Sequence, residues 1–74
     1  MDFVIRANVR TVGPNRYYVT VSAFQDVDDD RTGDVETGEA ATREAAIALR
    51  DQLIEKVSQR LKSRGHNVVD LKLA

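Results

Sequence analysis

Between residues 3 and 12 apolar and polar side chains alternate. Phe3, Ile5, Ala7 and Val9 fall on one face, and Val4, Arg6, Asn8 and Arg10 on the other. A period of two marks a half-buried strand. Gly13-Pro14-Asn15-Arg16 then gathers turn formers. Alternation resumes over residues 17–25, with Tyr17, Val19, Val21 and Ala23 on one face and Tyr18, Thr20, Ser22 and Phe24 on the other. Two alternating runs around a short turn predict an antiparallel hairpin. Residues 26–34 read as a polar loop, and Val35-Glu36-Thr37 as a short third strand ended by Gly38.

The period then changes. Ala46, Leu49, Leu53, Val57 and Leu61 recur at steps of three and four, and Ile47 and Ile54 widen the stripe. This predicts an amphipathic helix of about six turns, roughly 33 Å long. Thr42 suits its N-cap, Glu44 its first turn and Gly65 its C′ position. Val69, Leu71 and Leu73 alternate with Val68, Asp70 and Lys72, which predicts a last strand beneath the helix. The fold class is α+β, in the order β-β-(β)-α-β. A small antiparallel sheet, a hairpin or three-stranded meander plus a C-terminal strand, carries one long helix on one face. The expected core is Phe3, Ile5, Val9, Val19, Val21, Ala46, Leu49, Leu53, Val57, Leu61, Val69 and Leu71. Leu53 is expected to press on the hairpin centre near Ile5 and Val21.

Composition narrows the class. Residues 1–74 make one domain, since half of 74 residues is too short to close a core. The chain has no cysteine, so disulfides and thiolate metal sites are excluded. It has no apolar run long enough to span a bilayer. The opening Met1-Asp2 runs straight into strand-like pattern, from which no secretory leader and a cytoplasmic location are expected. With 42% hydrophobic residues the chain is expected to fold rather than stay disordered.

The net charge of −1 hides a polarised distribution. Residues 1–25 carry net +2, residues 26–44 net −6 and residues 45–74 net +3. Such polarity steers partners more than it sets fold. The acidic centre includes Asp26, Asp28, Asp29, Asp30 and Asp34. Carboxylates at positions 26, 28 and 30 open like a calcium-binding EF-hand loop, in which three acids converge on a hard cation. The remaining positions do not follow: Arg31 stands where glycine is needed, Gly33 where an apolar residue is needed and Thr37 where glutamate is needed. A solvated acidic loop is the better reading, with no metal and no cofactor.

No catalytic set emerges, and the chain is expected not to be an enzyme. His66 is the only histidine and reads as a cation-capable residue near the helix C-terminus. Ser22, Ser58 and Ser63 have no paired base to activate them. Lys56, Arg60 and Arg64 step by four and form one stripe on the helix. That stripe suits phosphate or an acidic protein, or simply offsets the helix dipole on a soluble face.

The sheet face opposite the helix is more informative. It is expected to show Val4, Arg6, Asn8, Arg10, Tyr18, Thr20, Phe24 and Lys72. Arg6, Arg10, Tyr18, Phe24 and Lys72 are the candidate binding residues of this face. Cations among aromatic rings on an open sheet suit single-stranded nucleic acid, whose bases stack and whose phosphates pair. Val4, Val12, Tyr18 and Phe24 also make a patch that suits a protein partner or a second copy. The net charge favours the protein partner or homodimer over nucleic acid. The membrane is not an expected partner.

Gly38, followed by Thr42-Arg43-Glu44-Ala45 at a helix start, resembles the stretch entering the helix of HicB-like antitoxin domains. It also resembles the last helix of double-stranded-RNA-binding domains. Both likenesses imply a helix on an antiparallel sheet, and they cover about a dozen residues. The Asp-Leu-Pro-Gly loop of the HicB-like pattern is replaced here by the acidic residues 26–34. The N-terminal helix and Lys-rich helix start of the RNA-binding domain are not in the sequence. The expected function is that of a small interaction domain working through its sheet face or an edge strand. An adaptor, an antitoxin-like protein and a mobile-element inhibitor are examples; a nucleic-acid binder using the outer face is the alternative.

Overall fold

The computed structural model describes residues 2–25 and 32–73. Strand β1 (Asp2–Gly13), β2 (Arg16–Gln25) and β3 (Thr32–Ala40) precede helix α1 (Arg43–Ser63) and strand β4 (Asn67–Leu73). They form one α+β unit with a four-stranded sheet in the order β3-β2-β1-β4.

The hairpin forms where its alternation and turn predict it. Ile5 lies opposite Ala23, Ala7 opposite Val21 and Val9 opposite Val19. Pro14 fixes one backbone angle of the turn, and Asn15 takes φ 55°, a left-handed value that asparagine tolerates better than most residues. β3 is longer than the three residues expected. It pairs with β2 from Tyr17↔Ala40 to Phe24↔Thr32. Gly38 does not end it but lies within it. A Cβ there would come within 2.7 Å of Leu49 Cδ2, so the glycine lets the helix settle closely on β3.

Helix α1 begins and ends as its capping residues dictate. The Thr42 hydroxyl accepts from the Ala45 N–H at 3.1 Å, satisfying one of the first-turn donors. At the far end the Gly65 N–H donates to the Lys62 carbonyl at 3.0 Å and the His66 N–H to the Leu61 carbonyl at 3.0 Å. This pair of bonds is the Schellman motif, and Gly65 at φ 83° makes it accessible.

β3 runs parallel to β1, the helix returns the chain, and β4 therefore enters parallel to β1. The sheet is thus mixed rather than wholly antiparallel. Phe3, Ile5, Ala7, Val19, Val21 and Ala23 of the sheet pack with Ala46, Val57 and Leu61 of the helix. Val9, Leu49, Leu53, Ile54 and Val68 are partly buried against this cluster. Leu53 therefore supports the core from its margin, and Val57 and Leu61 occupy its centre.

β4 departs from expectation. Phe3 pairs with Val68 but Val4 with Asp70, so an irregularity at Val69 interrupts the alternation. Val68 turns into the core, whereas Val69 and Leu71, both expected there, are 50% and 44% exposed. The helix lies chiefly over β2 and β3 and least over β4. Leu71 and Leu73 consequently face the helix side of the sheet beyond the helix's reach.

Candidate interaction surfaces

The five outer-face candidates come together on the side away from the helix. β1 and β2 place Arg10 opposite Tyr18, Arg6 opposite Ser22 and Val4 opposite Phe24. β4 adds Lys72 beside Arg6. Paired residues on neighbouring strands share a face, so Lys72 and Arg6 are adjacent cations. The Arg6 guanidinium lies 5.2 Å from the centre of the Phe24 ring, within cation–π range. Val4 occupies this face but is only 2% exposed, a correction to its expected place in an open patch. Its cross-strand neighbours are Phe24 and Asp70, and the Arg6–Phe24 stack closes over the same corner. Among the described residues Arg6, Arg10 and Lys72 have no acidic partner, unlike Arg16, which meets Glu39 at 3.3 Å.

The basic stripe of the helix is not an open binding face, and Asp34 is not in a loop. Asp34 and Glu36 point from β3 toward the helix side, beside Ala23 and Val21. There Arg60 joins both, with Nη2 2.6 Å from Glu36 Oε1 and Nη1 3.3 Å from Asp34 Oδ1. Lys56 Nζ lies 3.3 Å from Glu36 Oε1, and Arg64 Nη1 3.5 Å from Asp34 Oδ2. The hydrogen bond from Arg60, followed by that from Lys56, holds the Glu36 carboxyl below its ordinary value. The bond from Glu36 in turn raises Arg60 above its own. The alignment follows from matched rises: two strand residues advance about 6.7 Å and four helix residues about 6 Å. Acids spaced by two on a strand thus interleave with bases spaced by four on an antiparallel helix. That spacing was readable in the sequence, though only with β3 in hand.

The acidic-loop residues Asp26, Asp28, Asp29 and Asp30 lie outside the described residues. Among the described residues no group of three or more His, Cys, Asp or Glu side chains is placed to hold a metal ion. His66 packs its ring against Phe3 at 4.8 Å between centres. Its Nδ1 is buried without a hydrogen-bond partner. The residue thus closes the open end of the core rather than standing free at the helix terminus. No described helix is long and apolar enough to cross a membrane.

A shallow groove at the start of the helix is lined by Val9, Thr11, Tyr17, Arg43, Ile47 and Arg50. Arg50 is engaged with Asp51 at 3.0 Å. The two sheet edges differ. β3 presents Val35, 51% exposed, above its tethered acids, whereas β4 presents Val69, Leu71 and Leu73. No protein family, curated protein or solved structure matches the chain.

Proposed function

We propose that this protein is a non-catalytic interaction module that binds an acidic protein surface through the uncovered face of its sheet, with self-association through a sheet edge as a second mode of contact. One observation carries the reading. Among the described residues Arg6, Arg10 and Lys72 stand without acidic partners on the face the helix does not cover, next to Tyr18 and Phe24. The other stripe of cations, on the helix, is already matched to β3. Charged residues arranged this way set orientation and encounter rate, while the half-buried rings supply contact area at small entropic cost.

The stack of Arg6 on Phe24 favours a second reading, a site for single-stranded nucleic acid, in which bases lie on Tyr18 and Phe24. The net charge of −1 weighs toward the protein partner, because phosphate binding thrives on a net basic footprint.

Capture from native lysate with wild type and with Arg10→Glu tests the first reading, and anisotropy with labelled single-stranded oligonucleotides tests the second. A specific protein held by wild type and lost by Arg10→Glu is expected. Oligonucleotide affinity that falls steeply with salt and disappears in Tyr18→Ala would favour the second reading instead. If neither ligand depends on these residues, the outer face is not the binding surface.

A further inference from the structure

β4 is an edge strand: one side is bonded to β1, and the other pairs with no strand among the described residues. Natural edges are blunted by charges that point inward, and β3 has this device in Asp34 and Glu36. β4 has half-exposed leucines in the same layer instead, Leu71 at 44% and Leu73 at 54%. Besides Lys72 and the irregularity at Val69, one local contact caps it. The Leu71 N–H donates to Asp70 Oδ1 at 2.8 Å, so this amide faces away from β1 and toward the open side of the strand.

We infer that the β4 edge is a homodimer interface, in which two copies pair antiparallel about a twofold axis through Leu71 and join their sheets into one of eight strands. The inference rests on the interaction-module reading and names a second copy of this chain as the partner at this edge. A twofold axis relating two identical strands must pass through one residue pair or between two. The outward amide of Leu71 requires outward-facing residues to meet each other, which leaves axes at Asp70, Leu71 or Lys72 near the middle of the exposed segment. An axis at Asp70 sets it against the partner's Asp70, and one at Lys72 sets it against the partner's Lys72. Both place like charges directly opposite, which is unfavourable. An axis at Leu71 sets Asp70 against the partner's Lys72 and Lys72 against the partner's Asp70. Charge thus selects one register.

That register also suits the remaining groups. Leu71 meets the partner's Leu71, and their N–H and carbonyl groups exchange two hydrogen bonds. The Leu71 N–H trades the Asp70 carboxylate for a carbonyl, so no donor is left unsatisfied. The released carboxylate is then free for the partner's Lys72. It arrives on the outer face, where Lys72 and Arg6 are adjacent cations, and relieves their repulsion.

Sedimentation velocity across about 5–500 µM, a range spanning typical weak-to-moderate association, tests this with wild type, Asp70→Lys, Lys72→Asp and the double exchange. Each single reversal turns two symmetry-related attractive pairs into repulsive ones, so dimer affinity is expected to fall by about tenfold or more. The double exchange is expected to restore it. Thermal melts of all four confirm that each is folded. Hydrogen exchange gives an independent readout: the Leu71 amide is expected to gain protection as wild-type concentration rises. Wild type that stays monomeric throughout, a dimer indifferent to both reversals, or no recovery in the double exchange overturns the proposal. A monomer whose capture of another protein still depends on Arg10 would refute the dimer alone. A β4 dimer with no Arg10-dependent partner would refute the outer-face reading alone.

Discussion

Truncating Leu61 to alanine probes where the helix sits. Leu61 is 1% exposed and belongs to the cluster formed with Phe3, Ile5 and Val21. Its loss removes the transfer energy of a buried isobutyl group and leaves a cavity that the last helical turn cannot close, since the Leu61 carbonyl is fixed by the His66 N–H. Such changes cost about 2–5 kcal/mol, and a value near 3 kcal/mol is expected here. A chain of 74 residues is expected to hold roughly 4–11 kcal/mol in all. Leu61→Ala therefore removes a large share of the stability and lowers Tm by roughly 12–24 °C. Leu53→Ala, at the partly buried margin, is expected to cost about half as much, and exposed Gln52→Ala at most about 0.5 kcal/mol. Thermal melts followed by circular dichroism measure all three. A Leu61→Ala variant that melts within a few degrees of wild type, or a Leu53→Ala variant that melts lower still, would show that the helix is rotated from this position. The assignment of inner and outer sheet faces would fall with it.

The lowered pKa of Glu36 predicts a defined acid response. A carboxyl depressed in the folded state contributes stability above its unfolded value, near 4.5, and loses it as pH falls through the folded value. Wild type is therefore expected to lose more stability between about pH 6 and pH 3 than Glu36→Gln does, read from urea midpoints at each pH; parallel losses would refute the role of the Arg60 contact. Gly65→Ala is expected to cost about 1–2 kcal/mol, because alanine resists the positive φ of the Schellman turn, and a melt unchanged from wild type would show that the helix does not end there.

The helix was legible almost residue for residue because its signals are local. Thr42 caps, the stripe repeats, and Gly65 permits the exit turn. The hairpin was legible for the same reason. β3 was legible only at Val35-Glu36-Thr37, because its inward positions are Asp34, Glu36, Gly38 and Ala40, and only the last is apolar. A binary pattern reads the rest of such a segment as loop, whereas the cations that pair with its acids lie twenty or more residues away in sequence. β4 was placed correctly but misread in register. An irregularity at Val69 exchanges the faces of the residues before it, and nothing in Val68-Val69 distinguishes the inward valine from the outward one. The five outer-face candidates were assigned to one face because strand periodicity alone assigns a face. The burial of Val4 on that face was missed, since periodicity assigns a face but not the cover a residue finds beside cross-strand neighbours such as Phe24.

The polarised charge of the chain changes meaning once it is folded. By segments, the acidic middle and the basic C-terminal region look like two poles offered to partners. In the structure part of that contrast is internal: two carboxylates of β3 meet three cations of the helix across the inner face of one sheet edge. Ion pairs at this degree of exposure add little stability individually, but they specify which edge the helix covers. By drawing α1 over β3, they leave β4 the less covered edge and leave Leu71 and Leu73 in view. The same pairing subtracts the helical stripe from the charges available to a partner. Arg6, Arg10 and Lys72 then remain as the cations of the uncovered face that meet no acid among the described residues, although Glu39 and Asp70 share that face. The distribution of free charge, rather than the total, thus links the packing of this fold to the surfaces through which it would act.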